Sequence, residues 1–417
     1  MHDNKEIEER VILVGVSEQE GDDAADSIAE LAELVETAGA SVAGSVLQKL
    51  TRRHPATYVG SGKVEELRAL LCMTDATGIV CDDELSPAQM RNLADLLDTK
   101  VMDRTLVILD IFAKRAATSE GKIQVELAQL RYEMTRLTGY GRSMSRLGGG
   151  IGTRGPGEKK LETDRRVIAG RISQLKRELE EVKQHREVIR SRRTRANQPV
   201  AAIVGYTNAG KSTLLNALTD ADVLEWDALF ATLDPTTRLL TLPGRQELLL
   251  TDTVGFIRKL PHHLIEAFRS TLEEAKHADY IIHVVDASSA QMEKQMYIVY
   301  ETLRELGVES KPVLTLFNKQ DLVAEPEALH DARADAVLHI SAKKREGLAQ
   351  VKETLEAMLR ENRIFLERLL PYAQAGILAR IRTAGELVSE EYREDGILIR
   401  AYVPRALYAL AAFGGEE

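Results

Sequence analysis

The chain has 417 residues, of which 44% are hydrophobic and 29% charged, and it carries a formal net charge of −10. That is enough for about three domains of ordinary globular composition. No apolar run approaches the roughly 18–20 residues that span a bilayer, and the acidic start MHDNKEIEER lacks the apolar segment of a signal peptide. Two cysteines, Cys72 and Cys81, suit a reducing compartment and cannot make a four-ligand metal site with each other. A cytoplasmic monomer with at most peripheral membrane contact is expected.

Residues 10–112 alternate strands and helices. Residues 11–16 are a strand of buried type, and residues 22–38 a helix with Ile28, Leu31, Leu34 and Val35 on one face, ended by Gly39. Residues 41–50 and 78–81 read as the next strands, with a helix over 63–71 between them. A helix over 87–97 and a short strand over 100–103 follow. Such a βαβ series builds a mostly parallel sheet. Tyr58-Val59-Gly60-Ser61-Gly62-Lys63 admits a phosphate-turn reading, but two glycines and a lysine make a better helix start. Asp82-Asp83-Glu84, before Ser86-Pro87, is expected to be a solvated, helix-capping loop rather than a metal site.

Residues 113–198 change character. Ile123, Leu127, Leu130, Met134 and Leu137 recur at spacings of four and three, and residues from Leu161 to Ile189 keep mostly the same repeat. A seam of period 3.5 predicts two long helices packed antiparallel as a coiled-coil hairpin. Between them, residues 139–157 (GYGRSMSRLGGGIGTRGPG) hold too many glycines for a packed core and are expected to form a flexible tip. From Arg142 to Arg195, sixteen Lys and Arg against seven Asp and Glu give +9, leaving −19 on the rest of the chain. A basic arm on an acidic body is the footprint of RNA binding, with Arg142, Arg146, Arg154, Lys159 and Lys160 as the phosphate contacts. Tyr140 is the one aromatic in the tip, so base stacking is not its main mode.

Next comes VAAIVGYTNAGKST, residues 200–213, an apolar run leading into Gly-x-x-x-x-Gly-Lys-Ser. Here Gly205, Tyr206, Thr207, Asn208, Ala209 and Gly210 form a loop whose N–H groups turn toward an anion. The helix opened by Lys211, Ser212 and Thr213 aims its positive dipole end at the same point. Lys211 is placed for the β- and γ-phosphates, and Ser212 for Mg²⁺. Residues 247–252 are a strand ending in Asp252, whose carboxylate can hold a metal-bound water. Thr253 and Val254 follow, and the Gly255 amide can sense the γ-phosphate. Asn318, Lys319 and Asp321 end another strand and Ser341, Ala342 and Lys343 a third. A carboxylate at Asp321 can take two parallel N–H bonds from guanine, whereas adenine offers a lone pair there. These ordered motifs point to GTP and GDP as ligands, and to hydrolysis with Lys211, Asp252 and Gly255 at the γ-phosphate. Phe256 stands where many such enzymes carry a water-orienting Gln, which predicts slow intrinsic turnover stimulated by a large assembly. His262-His263 beside Pro261 reads as solvated capping, and Asp286 as a turn residue.

The expected architecture is α/β: an N-terminal α/β domain (1–112), the helical hairpin (113–198), a P-loop G domain with a mixed, mostly parallel sheet (199–362) and a small α+β domain (363–417). Tyr58–Lys63, Asp83–Gln89, Asp103–Thr105, Ala128–Leu130, the residues 148–158 and Phe230-Ala231-Thr232-Leu233-Asp234-Pro235-Thr236 together resemble the HflX-type GTPases of the Obg-HflX branch. That resemblance implies a GTPase that binds the 50S subunit and its rRNA, reaching toward the peptidyl-transferase centre, and that splits or rescues stalled ribosomes under heat stress. It implies that Thr236 completes Mg²⁺ coordination, that Asn208 holds K⁺, that Phe230, Ala231 and Thr232 lie at the nucleotide, and that the N-terminal domain binds ATP. Two other readings stand beside it: a GTP-regulated ribosome-assembly or RNA-modification factor, and a regulatory GTP-binding module acting on a protein partner.

Overall fold

Strand β1 (Arg10–Ser17) is buried at every position but its first, as a strand covered on both faces must be. In a computed structural model of the chain, residues 9–18, 23–144, 156–195, 198–219, 229–230, 232–244, 246–259, 273–308, 310–323, 329–361, 363–404 and 407–408 are described. They fall into two units, one reaching to Val182 and including Phe230 and Lys259, the other holding the rest.

In the first unit β1 is flanked by β2 (Ser41–Lys49) and β3 (Gly78–Cys81), and β4 (Lys100–Asp103) closes the parallel order β2-β1-β3-β4. Helix α1 (Ala24–Ala38) ends at Gly39 with φ 91°, the left-handed turn that a glycine takes without strain. Helices α2 (Ser61–Thr74) and α3 (Pro87–Leu97) lay Val64, Leu67, Leu71, Leu93 and Leu97 into the core around Ile12, Val14 and Ile79. Ser86 and Gln89 form a capping box ahead of Pro87. A further helix, α4 (Arg104–Arg115), begins directly at β4, where the sequence pattern predicts none. Its N-cap Asp103 is fully buried and accepts from Leu106 N–H, Leu85 N–H, Tyr132 O–H and the Arg136 guanidinium.

The acidic run is not the solvated loop expected. Asp82 is 2% and Asp83 6% exposed. Asp82 takes Ser27 Oγ at 2.7 Å and Arg104 at 2.9 Å, Asp83 takes Tyr58 Oη at 2.6 Å, and Lys259 Nζ reaches both carboxylates. Cations drawn from far along the chain make this burial tolerable. Helices α5 (Ser119–Met144) and α6 (Pro156–Arg195) form the expected pair. They meet through Leu127, Ile172 and Leu175, flanked by Ile123, Leu130, Met134, Ile168 and Leu179. The helices intrude on the expected tip from both sides; its remainder, residues 145–155, lies outside the described residues.

The second unit is built on a six-stranded sheet, order β10-β9-β8-β5-β7-β6. Strands β5 (Val200–Gly205), β7 (Glu247–Asp252), β8 (Tyr280–Asp286), β9 (Val313–Asn318) and β10 (Ala336–His339) run parallel, and β6 (Thr236–Thr241) pairs antiparallel with β7 at the edge. This is the P-loop GTPase sheet the motifs predict. Helix α7 (Lys211–Thr219) follows β5. Strands β11 (Ile364–Leu370), β12 (Glu386–Arg393) and β13 (Gly396–Val403) form a separate antiparallel sheet, on which Leu378 and Ile381 of the helix Ala375–Ala384 pack. Among the described residues no helix is long and apolar enough to cross a membrane.

Candidate nucleotide site

The site gathers at the carboxyl ends of β5, β7 and β9, where loops leave a parallel sheet. Leaving β5, the chain passes Asn208 at φ 58° and Gly210 at φ 93° before α7 begins. A side chain at Gly210 would stand 2.3 Å from Asn318 Nδ2. That closeness is used: Asn318 donates to Ala209 O at 2.9 Å and accepts from Ala342 N–H at 2.9 Å. One amide at the end of β9 thereby braces the phosphate loop and the loop after β10 together.

Lys211 is 7% exposed and donates to Tyr206 O at 2.8 Å. Burial lowers its pKa to about 8, against the pull of Asp252 and with help from Lys319. It therefore stays mostly protonated at pH 7. Ser212 Oγ, Thr232 Oγ1 and Asp252 Oδ2 form a triangle of bonds at 2.7, 2.7 and 2.9 Å. Asp252 is fully buried and, among the described residues, its Oδ1 has no hydrogen-bond partner. Burial raises its pKa, opposed by Lys211, Ser212, Thr232 and the Thr253 amide. Three hard oxygens with one carboxylate atom left over fit Mg²⁺, the ion P-loop GTPases use. Bound there, it would draw charge from the phosphates and hold Asp252 ionised.

On the base side, Asp321 Oδ1 accepts from Ser341 Oγ at 2.7 Å, and that bond is the main reason its carboxyl pKa lies below the usual value. Lys319, at φ 62°, pairs with Asp286 at 2.7 Å. Thr253 is buried and donates to Ile203 O, Val254 is buried, and Lys343 is exposed.

The structure therefore joins Gly205–Ser212, Thr232, Asp252, Asn318, Asp321 and Ser341 around one place. Thr236 opens β6 as the strand partner of Asp252, and among the described residues its hydroxyl makes no hydrogen bond with Ser212 or Asp252, whereas that of Thr232 bonds both. Phe230 belongs to the first unit, where its ring meets Phe112 edge-on at 4.7 Å. Asp286 is the turn residue expected, its Oδ1 accepting Ser288 N–H and Oγ–H, and its Oδ2 pairs with Lys319. Gly60 is extended (φ −70°, ψ 160°), opens α2 and donates to Gln48 Oε1, so residues 58–63 form a helix start. Ala231, Arg146, Arg154, His262 and His263 lie outside the described residues. Arg142 stands in α5 and Lys159 and Lys160 in α6, their side chains likewise outside.

Residues 25–113 match a family described as GTP-binding GTPase N-terminal, residues 115–193 one described as GTP-binding GTPase Middle Region, and residues 200–319 one described as 50S ribosome-binding GTPase. The chain is 63% identical to the GTPase HflX of Lacrimispora saccharolytica over 98% of its own length and 96% of that protein's. It is 39% identical to the GTPase HflX of Escherichia coli, over 95% and 93%. Among solved structures it is similar to a GTP-binding protein from Sulfolobus solfataricus in complex with GDP, at 26% identity and a TM-score of 0.45, covering 84% of this chain and 98% of that one. With the phosphate loop, the guanine-reading motif and nearly full-length relatives in agreement, the chain belongs to the HflX family of GTPases.

Proposed function

We propose that this GTPase binds the 50S ribosomal subunit through rRNA and uses GTP to split or rescue stalled ribosomes. The observation that carries the reading is the helical pair α5 and α6 bearing a net +9 between Arg142 and Arg195 on an otherwise acidic chain. The domain boundaries that go with it are 112, 198 and 362.

In the reaction, Lys211 would neutralise phosphate charge, and Ser212, Thr232 and Asp252 would hold Mg²⁺, which supplies charge neutralisation at the phosphates when bound. Thr232 takes the role the resemblance assigns to Thr236. The Gly255 amide contacts the γ-phosphate, and Asn318, Lys319 and Asp321 fix the base. Phe256 is 2% exposed and apolar, so it holds no water. Asn208, exposed in the phosphate loop, would hold a K⁺ ion that adds positive charge there. Turnover is therefore slow until the ribosome completes the site.

Sedimentation with a non-hydrolysable GTP analogue tests the reading. Co-migration with mature 50S or 70S particles is expected. Co-migration with precursor particles only would make the protein an assembly factor, and with neither, a module acting on a protein partner.

A further inference from the structure

Three hydrogen bonds tie the phosphate loop to the turn after β7. Phe256 N–H donates to Gly205 O at 3.1 Å, Thr207 N–H to Phe256 O at 2.7 Å, and Arg258 N–H to Tyr206 Oη at 2.9 Å. The first two are main chain on both sides. The third depends on a side chain, and Tyr206 is only 4% exposed, so its ring is held where it is. The carbonyl of this same residue accepts the Lys211 ammonium at 2.8 Å. Tyr206 thus touches both the phosphate-binding lysine and the turn that must sense the γ-phosphate.

The turn is pressed down hard. A Cβ built on Gly255 would lie 2.7 Å from Thr207 Cα and 2.9 Å from Lys211 Nζ. A phosphate oxygen shared by the Gly255 amide and the Lys211 ammonium would sit about 2.8 Å from each and needs room beside Gly255. GDP ends at the β-phosphate and requires no such gap. The γ-phosphate of GTP enters beside Gly255, where even one added carbon meets Thr207 and Lys211.

We propose that Tyr206 is a specificity-determining positioning residue. Its hydroxyl latches residues 255–258 onto the phosphate loop and so sets the affinity for GTP relative to GDP. When the turn is down, Arg258 N–H has the phenol as its acceptor; when the turn lifts, water replaces it. Removing the hydroxyl therefore weakens the latched state, and a ligand that needs the lifted state gains.

The test uses the full chain, titrated with fluorescent GDP and a fluorescent non-hydrolysable GTP analogue. Tyr206→Phe keeps the ring and is expected to raise the ratio of analogue affinity to GDP affinity about five- to tenfold. Arg258→Pro removes the donor instead of the acceptor and moves the ratio the same way. The double variant moves it no further than either change alone. Arg258→Ala keeps the amide and leaves the ratio at the wild-type value. A ratio within twofold of wild type in Tyr206→Phe, equal shifts in both affinities, or an Arg258→Ala shift as large as that of Arg258→Pro would overturn the proposal. A merely structural tyrosine would change both affinities together.

Discussion

At the scale of single residues, two threonines compete for one role. Thr232 bonds to Ser212 and Asp252 through its hydroxyl, whereas Thr236 pairs with Asp252 only as a strand partner among the described residues. Thr232→Ala should therefore lower Mg²⁺-dependent GTP turnover by about tenfold or more, the usual scale for a lost oxygen beside developing charge. Thr236→Ala should change it less than threefold. Parallel single-turnover assays over a Mg²⁺ series decide the matter, and the reverse order would return the role to Thr236. A second residue reports on acid stability. His283 is buried in β8, its ring edge-on to Tyr300 at 5.1 Å, with Nδ1 lacking a hydrogen-bond partner among the described residues. Burial lowers its pKa to about 4, against an attraction from Asp331. The unfolded chain takes up this proton below about pH 6.5 and the folded chain only near its lowered value, so stability falls as pH drops through that window. The loss by pH 5 is about 2 kcal/mol from this group alone. In His283→Leu, unfolding measured at pH 7 and pH 5 should differ less than in the wild type; an equal difference would remove His283 from the acid response. What is legible at this scale is local. Lys211, Ser212, Asp252, Asn318 and Asp321 stand at fixed offsets from strand ends, so spacing alone places them. Spacing does not single out Thr232 as the threonine bonded to Ser212 and Asp252, because an irregular stretch carries no period to rank one threonine above another. The Tyr206 contact joins residues 52 apart, which no local pattern encodes.

At the scale of elements, legibility follows the source of each signal. Helix α3 appears over the residues expected because Ser86, Pro87 and Gln89 carry its start in adjacent positions. Helix α4 is hidden in the sequence because it begins directly at the last residue of β4: Asp103 both ends the strand and caps the helix, so no turn residue separates the two. Helix α5 runs on through Gly139 and Gly141, which cost about 1 kcal/mol each and do not by themselves stop a helix. The hairpin seam is legible from its repeat, and it is thin: among the described residues only Leu127, Ile172 and Leu175 are fully inside it. A thin seam fails as a unit. Leu175→Ala should cost about 2–5 kcal/mol locally, seen as lost hydrogen-exchange protection along α5 and α6 while β5 and β7–β9 keep theirs. Unchanged protection in the two helices would mean that the seam does not hold them.

At the scale of the whole molecule, charge is divided by position: the segment from Arg142 to Arg195 carries +9 and the remainder −19. An acidic remainder repels nucleic acid, so binding to RNA must be concentrated on the arm, and its strength must track the counterions that the arm displaces. Each phosphate deprived of its arginine should reduce the slope of log affinity against log salt by a little under one. Replacing Arg142, Arg146 and Arg154 together by Ala should therefore weaken binding to 50S subunits and flatten that slope by about two to three. Affinity for GTP should stay at the wild-type level, because none of the three belongs to the nucleotide site. The two readouts separate the arm from the engine. A flattened slope with intact GTP binding places the arm on ribosomal RNA; an unchanged slope would show that phosphates are not what these arginines meet, and the proposed ribosomal role would then lose its chief physical support.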